Sequence, residues 1–278
     1  MTTTKPTPTL TNPGERPGRP VQLTFPRVLV SEWIKIGSVR SSIAALTALV
    51  VALIGGAAYG AVGIVVSDST PAAEAVAADP TGGYLSGAGL AQLVAVVVGV
   101  IAVTGEYRST MIRSSIAAVP TRAPLVWGKA AVAAAVTTVV AVAALLPAFL
   151  LARAIVAVAD VSLFLTTPGV ATTMVGPAAA LGITAAWAVG CGWLLRNTAA
   201  ALVALLGVLY LLPSLAAFMP PVVGQIVGPF LPNYAFEAAA RATPVDGALP
   251  PLLGLLVYAG YAVITLAAAA LVLRRRDA

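Results

Sequence analysis

The amino-acid sequence predicts an all-α membrane protein with six transmembrane helices. Six apolar stretches contain at least 20 residues each, and all 26 charged side chains lie outside them. A helix of about 20 apolar residues crosses a hydrocarbon core of about 30 Å. The stretches lack the polar alternation of barrel strands, and lipid leaves no other way to pair the backbone, so helices are expected. They run Ile43–Val66, Leu85–Thr104, Ala130–Ala152, Val170–Leu195, Thr198–Met219 and Leu252–Leu273.

Composition and length predict one membrane domain preceded by a tail. The chain has 278 residues, of which 59% are hydrophobic and only 9% are charged, against about 25% charged in soluble domains. Residues 1–26 are rich in Thr and Pro and are expected to form a disordered cytoplasmic tail. Residues 27–278 form the six-helix domain. The net charge of +6 comes from residues that flank the spans, which favours membrane lipid as a partner and argues against nucleic acid.

The distribution of basic residues predicts the orientation. If the loops alternate between the two sides, fourteen of the sixteen Lys and Arg residues fall on one side, and six of the ten acidic residues fall on the other. The positive-inside rule assigns the basic side to the cytoplasm. We therefore expect a multi-pass protein of the plasma membrane with both termini in the cytoplasm.

The segment 27–42, before the first span, is expected to be an amphipathic helix lying in the cytoplasmic interface. Apolar side chains recur at i, i+4 and i+7, namely Leu29, Trp33 and Ile36. Trp33 is expected at the depth of the lipid headgroups. Glu32 and Lys35 are three residues apart and can form an ion pair on one helix face.

Two connections between spans carry further patterns. In the inner loop 105–129, apolar residues at helical spacing predict a short helix over about Ser109–Val119, parallel to the membrane. In the connection 220–251, Val222–Leu231 is too short to span, which predicts a re-entrant or interfacial hairpin. Asn233–Arg241 follows as a possible short amphipathic helix. Gly56 and Gly60 form a small-xxx-small pair that can pack against another helix.

The sequence lacks the residues of several kinds of active site. It contains no histidine, which excludes HExxH zinc sites and Ser-His-Asp triads. The only Gly-Lys pair, Gly128-Lys129, has no P-loop around it, so no ATP site, cofactor or metal site is expected in the chain. The spans carry no ionisable residue that could relay protons. Energy would then come from a partner protein that acts on the loop 105–129.

That loop resembles the first cytoplasmic loop of the type-2 permeases of ABC exporters. The resemblance rests on the sequence from Glu106 through Thr110 to Pro120, with Ser109 where glycine is usual, and on the segment Ser31–Lys35 before the first span. The six-span layout, with a long outer connection between spans five and six, is also similar. The resemblance covers the chain from about Arg27 to its end.

The resemblance implies a type-2 ABC transmembrane domain, an N-terminal connecting helix at Arg27–Ser42 and a coupling helix at about Ser109–Val119. The coupling helix would dock on a separate cytoplasmic ATPase subunit, and a second permease copy or a homologue would complete the transporter. The residues expected in this coupling are Glu106, Thr110, Ile112, Arg113, Ile116 and Val119. The interfacial helix contributes Glu32, Trp33 and Lys35.

Alternatives remain at two points. Glu106 could instead be a juxtamembrane acid that pairs with Arg108 or Arg113. The apolar row of Ile112, Ile116 and Val119 could rest on the membrane or on the chain's own spans rather than on a partner groove. The leading functional prediction is a permease subunit that exports an apolar or amphipathic substrate. The alternative is a non-transporting membrane scaffold or an assembly factor, and a membrane-embedded enzyme is disfavoured.

Overall fold

A computed structural model of the protein describes residues 25–67, 70–108, 123–166, 170, 172–216, 218–241 and 247–275. These residues form helices and connecting turns, and no strand occurs among them. Six of the helical segments are long and apolar enough to cross a membrane. The prediction of an all-helical chain with six helices able to span a membrane is therefore confirmed for the described residues.

The first helix, α1 (Phe25–Ser38), leads into the first span, α2 (Arg40–Val65). Val39 separates them, because its backbone is extended, with φ −88° and ψ 119°. The predicted interfacial helix ran to Ser42, whereas α1 ends four residues earlier and the span begins at Arg40. A charged residue can belong to a span helix because the helical backbone continues beyond the apolar run that sits in the hydrocarbon.

The second span begins with a short helix and continues as a long one. Short helices α3 (Ala72–Ala78) and α4 (Gly82–Leu85) precede the long helix α5 (Ala88–Arg108). Gly56 and Gly60 of α2 lie against this junction. A Cβ atom at Gly56 would lie 2.2 Å from the Cα atom of Gly87, and one at Gly60 would lie 2.0 Å from Ser86 Oγ. The small-xxx-small pair is thus a helix-packing face, as predicted.

The third and fourth spans are α6 (Ala123–Val156) and α7 (Thr172–Leu195). In the fourth span, 67% of the most apolar 18-residue segment is buried, and in the second span 61% is buried. The corresponding share in the other four spans ranges from 22% to 39%. Helices α5 and α7 therefore form the centre of the bundle. The peripheral spans turn apolar faces outward, as a chain surrounded by lipid would.

The fifth span changes its winding midway. It begins with α8 (Thr198–Leu206), where the Asn197 side chain accepts a hydrogen bond from the backbone N–H of Ala200 at 3.0 Å. A π-helical turn over Gly207–Leu211 then leads into α9 (Leu212–Ala216). Pro213 lacks an N–H group, which removes one rung of the helical hydrogen-bond ladder close to this turn.

The connection before the last span contains two more helices. α10 (Pro221–Val227) buries none of its residues, and a 3-10 turn follows it over Gly228–Phe230. α11 (Pro232–Ala240) packs on the last span, α12 (Pro251–Arg275), and buries Phe236. The short helix predicted near Asn233–Arg241 is confirmed, whereas the membrane depth of the preceding hairpin stays a prediction.

Candidate functional site

Four charged side chains from three helices meet at the end of the bundle where α2 begins. Glu32 and Lys35 lie on α1, Glu106 lies in the last turn of α5, and Lys129 lies in the second turn of α6. We call these four residues the charge cluster. Glu32 and Lys35 are neighbours on α1, but Glu106 and Lys129 are far from them in sequence, so only the packing of the helices brings the four together.

The ion pairs of the charge cluster form a closed ring. Lys35 Nζ lies 2.7 Å from Glu32 Oε1 and 2.8 Å from Glu106 Oε1. Lys129 Nζ lies 2.9 Å from the same oxygen of Glu106 and also donates to Glu32 Oε2. Each lysine therefore bridges both glutamates, and the four formal charges sum to zero.

Three members of the charge cluster are shielded from solvent. Glu32 and Lys129 are each 2% exposed and Glu106 is 7% exposed, whereas the side chain of Lys35 is 35% exposed. Removing an ion from water costs several kcal/mol, which a buried pair regains only with close, hydrogen-bonded partners. The ring supplies such partners. Removing any one member would leave its neighbours as uncompensated buried charges.

Local packing places α1 where this ring can form. Val28 and Ile36 lie one turn before and one turn after Glu32, and all three side chains are buried. Gly128 lets α1 come close to α6, because a Cβ atom there would lie only 3.0 Å from Val28 Cγ1. Even an alanine at this position would require the Val28 side chain to shift.

The cluster acts on the ionisation of Lys35. Burial lowers the pKa of Lys35, but its hydrogen bonds to Glu106 and Glu32 and the charges of those carboxylates outweigh burial. The net result is a pKa above the ordinary value of 10.5. Lys35 therefore keeps its positive charge, and with it both ion pairs, at neutral pH.

The structure brings together three residues that the sequence assigned to separate features. Glu32 and Lys35 of the interfacial segment make the predicted i, i+3 pair. Glu32 also pairs with Lys129, and Lys35 also pairs with Glu106. Glu106 pairs with Lys35 and Lys129, while its suggested partner Arg113 lies outside the described residues. Thr110, Ile112, Ile116 and Val119 lie outside them as well, so their coupling role stays a prediction.

Sequence reasoning missed Lys129. Lys129 served only in the count of basic residues and in the Gly128-Lys129 pair that lacks a P-loop, although it stands immediately before the third apolar stretch. Glu106 stands just after the second stretch, so the two residues mark adjacent ends of consecutive spans. Opposite charges at such positions were a usable signal for an ion pair.

Helix α1 divides its predicted apolar row between two surroundings, because Ile36 is buried together with Glu32 whereas Trp33 is exposed. Glu32 points into the bundle, whereas Trp33 is 55% exposed and Ile34 is 61% exposed. These two exposed side chains come directly after Glu32 in sequence, so the helical turn places them on other faces of α1. This arrangement leaves Trp33 available for lipid, as an interfacial helix requires.

A second polar network lies within the spans and carries no formal charge. The Gln92 side chain of α5 donates to Tyr258 Oη at 3.1 Å and accepts from Tyr210 Oη at 2.8 Å. Tyr258 Oη also lies 2.9 Å from Thr184 Oγ1 of α7. This network links α5, α7, α12 and the π-helical turn. Hydrogen bonds satisfy these polar groups without placing an ion in the membrane.

No group of three or more His, Cys, Asp or Glu side chains that could hold a metal ion occurs among the residues described by the structure. No protein-family model matches the chain, and no curated protein matches it. The length and composition of six apolar helices define the class of the chain, that of a multi-pass membrane protein.

Proposed function

We propose that the chain is the membrane-spanning permease subunit of an ATP-driven exporter. In this proposal it lies in the plasma membrane with both termini in the cytoplasm. A separate ABC ATPase subunit supplies the energy, and a second permease copy or a homologue completes the transporter. The chain itself performs no hydrolysis, because its sequence contains no P-loop.

The charge cluster is the observation that supports this function most strongly. Glu106 and Lys129 flank the segment 109–122, which belongs to the only inner loop long enough to receive a partner. Glu106 and Lys129 form an ion pair with each other, and Lys129 also pairs with Glu32 of α1. These three side chains are shielded from water. A force applied to this loop would therefore reach α1, α5 and α6 together.

Such a ring suits transmission better than it suits stability. Buried ion pairs contribute little net stability compared with well-packed apolar residues, but they are costly to break singly. They therefore hold helices in one register. A permease needs this register where ATP-driven movement enters the membrane domain, whereas a passive scaffold does not need it at this loop.

The nature of the spans supports an uncharged cargo. Acidic and basic side chains are absent from the six apolar stretches, and the network around Gln92 within the spans consists of an amide and hydroxyls. A path lined this way favours an apolar or amphipathic molecule over an inorganic ion. The resemblance of the segment around Glu106 to type-2 ABC permeases points to the same function.

The test compares two variants in the native membrane complex. Glu106→Gln and Lys129→Gln together remove one charge of each sign and leave the Glu32–Lys35 pair balanced. We expect normal insertion and normal yield of the double variant, with ATP hydrolysis in the purified complex no longer linked to export from vesicles. Glu74→Gln, an exposed acid on α3 at the other end of the bundle, is the matched control.

Two outcomes would contradict the proposal. If wild-type protein purified from the membranes of its own host carries no ATPase activity, the result favours the scaffold or assembly factor. A double variant that retains full ATP-linked transport would remove the cluster from the coupling route. Reporter fusions after Ala278 and within 70–84 would check the orientation independently, since only the second should be active outside the cytoplasm.

A further inference from the structure

A cavity with both polar and apolar lining opens at the end of the bundle opposite the charge cluster. It has a volume of 290 Å³ and lies between the junction of α4 and α5, the π-helical turn and α11. Gln92 and Tyr210 line it on the side of the spans, and Asp79 and Glu237 line it on the side of the loops. Pockets that enclose whole drug-sized ligands measure about 300–1,000 Å³, so this cavity suits a small ligand or a head group.

The hydroxyl groups along this cavity have already used their hydrogens. Thr81 donates to Asp79 Oδ1 at 2.7 Å, Ser86 donates to the carbonyl of Gly82 at 2.6 Å, and Tyr210 donates to Gln92 Oε1 at 2.8 Å. What these oxygens can still offer a ligand is lone pairs. These three oxygens therefore favour hydrogen-bond donors on a ligand.

The charges along the cavity act in the same direction. Asp79 and Glu237 carry negative charges, and Arg241 carries the positive charge. Arg241 lies 3.5 Å from Glu237 Oε2, and Asn233 donates to the other oxygen of Glu237 at 3.0 Å. With one cation against two carboxylates, the formal charge of the lining is negative. This charge attracts a cation and disfavours a carboxylate or phosphate ligand.

We propose that the cavity binds a primary amine in its ammonium form. An ammonium group brings three N–H donors and a positive charge, which match the accepting oxygens and the net charge of the lining. Leu85 and Phe236 provide an apolar wall for the carbon atoms next to the nitrogen. The site goes beyond the proposed transport function, and binding there requires no ATPase.

The amine can come from two sources, a soluble molecule or the head group of an amphiphile. The test uses the purified full-length chain in nanodiscs of phosphatidylcholine, which has no primary amine. Equilibrium dialysis measures radiolabelled ethanolamine, and dodecylamine serves as the amphiphilic probe. Dodecanol and dodecyltrimethylammonium are the matched controls, because the first lacks the charge and the second lacks the N–H donors.

Three variants assign binding to the cavity. Asp79→Asn keeps an oxygen that can accept both hydrogen bonds from Thr81, whereas Glu237→Gln keeps an acceptor for Asn233 but loses the ion pair with Arg241. Each variant keeps nearly the same shape and should weaken amine binding by at least about tenfold. Asp160→Asn is the control, because Asp160 lies at the same end of the bundle but outside the cavity. Its positive φ of 57° suits asparagine as well as aspartate, so this variant should bind amines like the wild type.

Carboxylate-dependent binding of ethanolamine assigns the site to soluble amines, and such binding of dodecylamine alone assigns it to an amphiphile's head group. The proposal is overturned if neither amine binds, or if both carboxylate variants bind as the wild type does. It is also overturned if dodecanol or dodecyltrimethylammonium binds as tightly as dodecylamine. Because the assay contains no ATPase, these outcomes are independent of the transport proposal.

Discussion

The two ends of the bundle hold their helices together with different chemistry. At the charge cluster, α1, α5 and α6 meet through four full charges in direct contact. Toward the cavity, α5, α7, α12 and the π-helical turn meet through Gln92, Tyr258, Thr184 and Tyr210, which are neutral. The cluster tolerates buried ions because each has close partners of opposite charge, whereas the network within the spans uses neutral groups, since an unpaired ion there would be costly.

This difference teaches how each end should respond to change. An ionic ring resists small displacements but fails sharply when one charge is lost, because its neighbours remain charged and buried. A hydroxyl–amide network loses only one or two hydrogen bonds at a time. In the proposals made above, the ionic end would transmit movement and the neutral end would adjust around a ligand.

The largest effect should follow the loss of Lys129. Lys129→Met keeps the length of the side chain but leaves Glu32 and Glu106 facing each other with Lys35 as their remaining cation within the cluster. We expect a loss of about 3–5 kcal/mol in the free energy of unfolding, measured by denaturant titration in detergent. Arg241→Met, which breaks an exposed pair, should change it by less than about 1 kcal/mol.

Combining Lys129→Met with Glu106→Gln sharpens this test. The double variant leaves the balanced pair of Glu32 and Lys35, so it should lose clearly less than the sum of the two single variants. Strict additivity would show that the four side chains do not act as one ring.

A smaller effect should follow a change in the neutral network. Gln92→Leu removes the hydrogen bonds to Tyr258 and Tyr210 but fills the same space with apolar atoms. We expect a loss of about 1–2 kcal/mol in the free energy of unfolding. A loss as large as that of Lys129→Met would erase the contrast between the two ends. Ser214→Ala, which removes an exposed hydroxyl on α9, is the control.

The smallest effect should be the part of the dependence on alkaline pH that Lys35 contributes. The pKa of Lys35 is raised above 10.5 in the folded protein. Its contribution to stability is therefore complete below that pH and is lost as the pH rises through the higher folded value. Unfolding measured from pH 9 to pH 12 should show this loss.

Lys35→Arg isolates the contribution of this one residue. Arginine stays protonated at these pH values, so the variant should lose less stability than the wild type over the same range. Identical pH profiles for the two proteins would mean that ionisation of Lys35 does not affect folding. Asp160→Asn, far from the cluster, should follow the wild type.

The sequence by itself determined the six spans, because the length and purity of an apolar stretch decide whether a helix can cross lipid. It also determined the pair of Glu32 with Lys35 and the packing face at Gly56 and Gly60, since both depend on helical spacing. These features are local, and a helix fixes the relation between residues three or four positions apart.

Only the tertiary structure decided which charges share a site. The contacts from Lys35 to Glu106 and from Lys129 to Glu32 and Glu106 join residues 71, 97 and 23 positions apart. Their separation is set by how α1 docks against α5 and α6, which depends on the small Gly128 and the buried Val28 and Ile36. The cavity at the other end likewise exists only where α11 folds back over the junction of α4 and α5. Helical periodicity carries no information about such contacts, because they arise from the packing of whole helices against one another.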